Sequence, residues 1–224
     1  MWDIFRDRVQ AGQMLGEALQ KYASRGDVIV LGLPRGGVPV AYEIATRLGV
    51  PLDVFVVRKL GVPGHEELAM GAIATGGVRV LNDDVIWELG INEAQVNAVA
   101  AREQKELLRR EHAYRGHEEP PKIKDRVIIL VDDGVATGST MRAAVKALRL
   151  QRPSRIVVAV PTASRSAFVE LEREADEVVA LMCPENFAAV GQWYENFSQT
   201  TDREVTSLLA KAGHGTPHDN GLAA

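Results

Sequence analysis

ILVDDGVATGSTM, residues 129–141, runs an apolar strand into two adjacent carboxylates and then into a loop of Gly, Ala, Ser and Thr. A strand, a small-residue turn and a helix suit phosphate, because the first helical turn offers unpaired N–H groups and positive potential. The carboxylates of Asp132 and Asp133 complicate that arrangement, since they repel the phosphates of a nucleotide. A ligand with one phosphate and neutral hydroxyls suits both halves. Simple capping of a helix accounts for Thr or Ser near its start. It does not account for two uncompensated acids at a strand end, where burying charge is costly.

The flanking sequence repeats the strand–helix pattern. RVIILVD (126–132) is an unbroken apolar run, as expected of a strand buried on both faces. Downstream, 137–150 reads as a helix, 155–161 as a strand, 164–174 as a helix and 177–183 as a last strand. Upstream, helical spacing over 3–22 precedes a strand at 27–33, a turn PRGG (34–37) and a helix ending at Gly49. LDVFVVRK (52–59) reads as the second core strand, and strand–helix–strand implies a parallel sheet with a right-handed crossover. Residues 60–77 break the rhythm and read as a mobile loop, with short strands near MGAIA and VRVL. A charged helix capped by Asn92 or Asn97 runs to about Arg115, its charges taken as a solvated face. The expected architecture is a doubly wound α/β domain over 1–210, with a small C-terminal hood at 184–205 and a disordered tail over 211–224.

The chain has 224 residues, 46% hydrophobic and 25% charged, enough to bury a core without disulfides or metals. A net charge of −4 gives no support to a nucleic-acid partner held by phosphate contacts. The single cysteine, Cys183, suits a reducing cytoplasm and closes an apolar run, so it reads as a buried structural thiol. No secretory leader and no apolar run near the ~20 residues of a membrane span are visible, so a cytoplasmic protein without a membrane partner is expected.

Ligands of such sheets bind beyond the carboxyl ends of the strands. The N–H groups of Ala136, Thr137, Gly138, Ser139 and Thr140, with three hydroxyls, would form a nest for a phosphate monoester. Asp132 and Asp133 would accept hydrogen bonds from vicinal hydroxyls or bind through magnesium. A ribose 5-phosphate fits both. GVATGST lacks the lysine of a Walker A loop, and no GxGxxG fingerprint is present.

IILVDDGVATGST (128–140) resembles the phosphoribosyl pyrophosphate (PRPP) motif of type I phosphoribosyltransferases over its whole length. The similarity extends over about residues 20–200, closest to a bacterial branch of the family with no named substrate. The resemblance implies that Asp132 and Asp133 hold the ribose hydroxyls and that 136–140 holds the 5′-phosphate. PRGG resembles the family's pyrophosphate loop, with the N–H groups of Arg35, Gly36 and Gly37 facing the diphosphate; a plain strand-to-helix turn is the alternative. Arg58 and Lys59 resemble a basic pair that stabilises departing pyrophosphate. Residues 60–77 correspond to a flexible catalytic loop, with His65, Glu66 and Glu67 either contacting substrate or simply exposed. In the hood, Phe187, Trp193 and Tyr194 either stack a flat acceptor or pack the appendage onto the core.

The implied activity is Mg²⁺-dependent transfer of the phosphoribosyl group from PRPP to a nitrogenous base, with release of pyrophosphate, by a homodimer. The alternative is a PRPP-sensing regulator on the same fold. His112, His117, His214 and His218 receive no role.

Overall fold

The computed structural model describes residues 4–116 and 119–213. A five-stranded parallel sheet runs in the order β2-β1-β6-β7-β8, from β1 (Val28–Gly32), β2 (Leu52–Val54), β6 (Val127–Val131), β7 (Arg155–Thr162) and β8 (Glu177–Met182). A three-stranded antiparallel sheet holds β3 (Val57–Val62), β4 (His65–Ala74) and β5 (Val78–Leu81). The helices are α1 (Arg8–Ala18), α2 (Gly37–Leu48), α3 (Asp83–Glu88), α4 (Glu93–Arg115), α5 (Ser139–Leu150), α6 (Arg165–Glu174) and α7 (Asp202–Lys211).

The period of two along each strand sorts the core into two layers. Val127, Ile129 and Val131 of β6 join Val28 and Val30 of β1 in a cluster with side chains of α1, α2, α4 and α7. Ile128 and Leu130 face the other way, with Ile29 and Leu31, onto α5 and α6. This is the doubly wound α/β class that the sequence predicts. The strand order reverses between β1 and β6, whose carboxyl ends lead into residues 34–37 and 132–138. Such a switch point opens a crevice for a ligand.

Four expectations change. The strand expected over 52–59 splits after Val54, and the chain crosses to the second sheet through Phe55 and Val56. Both crossing residues are buried, so the apolar run carries no sign of the break. The loop expected at 60–77 is a hairpin of β3 and β4, turning at Gly64 with φ +82°, and its register shifts around Gly61. Helix α3, capped by Asn82, was not anticipated. The charged face of α4 also buries Glu103, Glu111 and Arg115. The Arg115 guanidinium donates to Asp53 at 2.7 Å and to Glu111 at 3.1 Å, tying the end of α4 to β2.

Asn92 caps α4 reciprocally with Gln95, as its sequence suggests. Helix α7 runs across the boundary at 205 drawn from the sequence, with Val205 and Leu209 in the core. Cys183 is half-buried, and burial raises its thiol pKa. The expected tail falls mostly on residues 214–224, outside the described residues. Among the described residues no helix is long and apolar enough to cross a membrane.

Candidate sugar-phosphate site

Strand β6 delivers its acids where the sheet ends. Asp132, the loop 134–138, the first residues of α5 and Val190 line one cleft of about 230 Å³. The loop is held from below. Val135 N–H donates to Thr162 O at 2.9 Å, and Ser164 Oγ donates to Ala136 O at 2.6 Å. Gly138 adopts φ +75°, a left-handed conformation that glycine takes without steric cost, and it caps α5. Among the described residues no internal hydrogen bond engages the N–H groups of Ala136, Thr137, Gly138, Ser139 or Thr140. Thr137 Oγ1 and Ser139 Oγ lie 3.3 Å apart. The five sequence-predicted residues therefore share a cleft with unpaired donors at a helix N-terminus, which is a fitting place for an anion.

The two acids are not equivalent, and the expectation of an uncompensated pair needs correction. Asp132 is half-buried and lines the cleft. Burial and the adjacent Asp133 charge raise its pKa well above the usual carboxylate range. Asp133 instead meets Arg8 of α1, whose Nε and Nη2 approach Asp133 Oδ2 at 2.8 and 2.7 Å. The side chains are only 11% and 14% exposed. Burial raises the pKa of Asp133, and Arg8 pulls against that rise.

PRGG presses onto these acids. A Cβ built on Gly36 would lie 2.0 Å from Asp133 Oδ2, and one on Gly37 would lie 2.6 Å from Val131 O. No larger residue fits either position without moving the loop, which supplies a packing reason for the glycine pair. Gly36→Ala is expected to displace the loop and destabilise the protein by roughly 1–3 kcal/mol, the usual range for overpacking. Chemical denaturation measures this. The Pro34–Arg35 peptide bond is cis.

One expectation for this loop is corrected, because the Gly37 N–H donates to Leu33 O at 3.0 Å inside the turn. The N–H groups of Arg35 and Gly36 make no such bond among the described residues. The Arg35 side chain points to a second cleft that it shares with Arg109, Arg110, Tyr114 and Asp202.

The basic pair divides as the acids do. Arg58 is clamped by Glu103 of α4 at 2.7 and 3.0 Å, so its charge is already partnered. Lys59 borders two clefts that also reach Ser139 and Thr140 at the start of α5. At the hairpin tip His65, Glu66 and Glu67 are exposed; Glu66 sits 3.6 Å from Arg102, and His65 lies 3.8 Å from Glu67.

The hood aromatics also separate. Tyr194 is 5% exposed, contacts Phe5 and Phe197, and donates its hydroxyl to Asp133 O at 2.6 Å. Burial, with the nearby Asp133 charge, raises its pKa. It anchors the hood and has no free face for a stacked acceptor, which corrects that expectation. Phe187 and Trp193 contact each other at 6.1 Å and remain partly exposed.

Sequence reading missed Arg8, Glu103 and Val190. Arg8 and Asp133 are 125 positions apart, and no local pattern announces their pairing. Among the described residues no three His, Cys, Asp or Glu side chains converge as a metal cage. The carboxylate of Asp132 at the cleft is an oxygen donor of the kind that suits magnesium.

A family model described as the phosphoribosyl transferase domain matches residues 7–195. A Mycobacterium tuberculosis protein that carries the provisional name phosphoribosyl transferase is 46% identical over 209 residues, covering 93% of this chain and 47% of its own length. The chain thus spans about half the length of the curated mycobacterial relatives it matches. A bifunctional PyrR protein of Chloroflexus aurantiacus is 33% identical over 129 residues, covering 56% of this chain and 65% of that protein. The crystal structure of TT1426 from Thermus thermophilus is 45% identical, with a TM-score of 0.83, and the match covers 93% of this chain and 98% of that one. With strand order, acidic strand end and small-residue loop already in place, these matches lead to one statement: the chain belongs to the phosphoribosyl transferase domain family.

Proposed function

We propose that the protein transfers the 5-phosphoribosyl group of PRPP to a nitrogen nucleophile. One observation carries this reading. The unpaired N–H groups of 136–140 and the open carboxylate of Asp132 line the same cleft, beside the Arg35–Gly36 turn. A phosphate fits the first, vicinal hydroxyls fit the second, and a diphosphate on C1 fits the third.

In the reaction the C1–N bond forms as the C1–O bond to pyrophosphate breaks, with inversion at C1, and the nucleophile's proton leaves to solvent. The chain's work is to position and to stabilise charge. The loop 136–140 fixes the 5′-phosphate, Asp132 orients the ring through its hydroxyls, and the N–H groups of Arg35 and Gly36 meet the diphosphate. Lys59, beside the clefts that reach Ser139 and Thr140, would offset the charge of the leaving group. Arg58, held by Glu103, positions the hairpin that carries Lys59. Magnesium bound to the diphosphate would neutralise part of its charge. A flat acceptor under the hood would meet Phe187 and Trp193, which stay partly exposed.

The test is pyrophosphate release from PRPP with a panel of purines, pyrimidines and small amines. Acceptor-dependent release with at least one of them is expected. PRPP binding without release across the whole panel would establish the regulator instead, and absence of PRPP binding would remove both readings.

A further inference from the structure

The Arg8–Asp133 pair does more than close a gap in the core. Arg8 makes three polar contacts: two to Asp133 Oδ2, and one from Nη1 to Ser198 O at 2.7 Å. Its guanidinium also lies 4.0 Å from the centre of the Phe197 ring. One side chain of α1 thus joins the strand-end acid to the hood. The captured oxygen, Asp133 Oδ2, is the one against which Gly36 packs. Asp132 remains on the cleft side, and its Oδ1 accepts from the Asp133 N–H at 2.9 Å. The two neighbouring carboxylates therefore face different partners, one a cation and the other the cleft.

We propose that Arg8 is a positioning residue for the sugar: by drawing the Asp133 carboxylate under the Arg35–Gly37 turn, it leaves Asp132 alone to meet the ribose hydroxyls. The proposal rests on the sugar-phosphate reading given above. It departs from the expectation that both acids hold the sugar. Without Arg8, Asp133 carries an unpartnered charge beside Asp132, the turn above it loses its floor, and the geometry at the hydroxyls is no longer fixed. The phosphate nest, built on the far side of the cleft by Val135, Gly138 and Ser164, does not depend on Arg8.

The test compares binding of ribose 5-phosphate, 2-deoxyribose 5-phosphate and inorganic phosphate to Arg8→Met, Arg8→Lys, Asp132→Asn and the unaltered protein by calorimetry. The unaltered protein is expected to prefer the ribose compound by on the order of 10-fold, the effect of one charge-assisted hydrogen bond. That preference falls to within about 3-fold in Arg8→Met and Asp132→Asn, whereas Arg8→Met binds inorganic phosphate within about 3-fold of the unaltered protein. Arg8→Lys, which keeps the charge but loses the fork, recovers part of the preference and serves alone if Arg8→Met does not fold.

An unchanged preference in folded Arg8→Met, or in Arg8→Lys where only that variant folds, overturns the proposal. So does an equal loss of affinity for all three ligands, which marks a merely structural role. No preference in the unaltered protein also overturns this proposal, whereas failure of all three ligands to bind removes the sugar-phosphate reading itself.

Discussion

Asp132→Asn is expected to lower PRPP affinity on the order of 10- to 100-fold while the protein stays folded. The carboxylate lines the cleft, and a charge-assisted hydrogen bond to a hydroxyl contributes roughly 1.5–3 kcal/mol. The amide keeps the shape and one acceptor, so the loss is confined to charge. The same variant changes how stability responds to pH. Asp132 has a folded-state pKa well above its ordinary value of 3.8, raised by burial and by Asp133. A group of that kind stabilises the fold while protonated, and this contribution is lost as pH rises from about 3.8 through the raised folded value. Thermal unfolding of the ligand-free protein should therefore show stability falling across that window. The fall should be shallower in Asp132→Asn, and calorimetry over a pH series checks both slopes.

Asp133→Ala is expected to act mainly on folding. It strands the Arg8 guanidinium, 11% exposed, without its carboxylate, and removing one member of a buried pair typically costs about 3–5 kcal/mol. For a chain of this size that corresponds to a fall in melting temperature of roughly 6–20 °C. Chemical denaturation gives the free energy directly. A loss below about 1 kcal/mol would mean that Arg8 finds solvent or another acceptor, and that the pair contributes no more than a surface bridge.

The opposite behaviour of two adjacent, chemically identical residues was not legible in the sequence. The paired acids, the small-residue loop and the buried strand before them all follow from local pattern, because each is a matter of neighbours along the chain. So are the ends of α2 and α4, fixed by Gly49 and by the Asn92–Gln95 capping box. What separates the surroundings of the two acids is a contact across 125 positions between Arg8 and Asp133, which no local spacing reports.

The same holds for Arg58 and Lys59. They look alike as a basic pair, yet alternation along β3 and the approach of Glu103 give one a partner and leave the other beside the clefts. The break between β2 and β3 was hidden for a different reason. Phe55 and Val56 stay buried while the chain changes sheets, so hydrophobicity does not fall where the strand ends. Tyr194 shows the limit of composition as a guide. An aromatic residue in a hood is equally suited to stacking a ligand or to anchoring the hood, and the burial of Tyr194 against Phe5 and Phe197, with its hydroxyl's bond to Asp133 O, distinguishes the two.

A crystal structure with ribose 5-phosphate bound tests the sugar-phosphate site directly. That structure should show the phosphate on the N–H groups of residues 136–140, a ribose hydroxyl within hydrogen-bond distance of Asp132, and Arg8 still paired with Asp133. A phosphate bound elsewhere with the 136–140 loop empty, or a sugar whose hydroxyls turn away from Asp132, would contradict the assignment of that site.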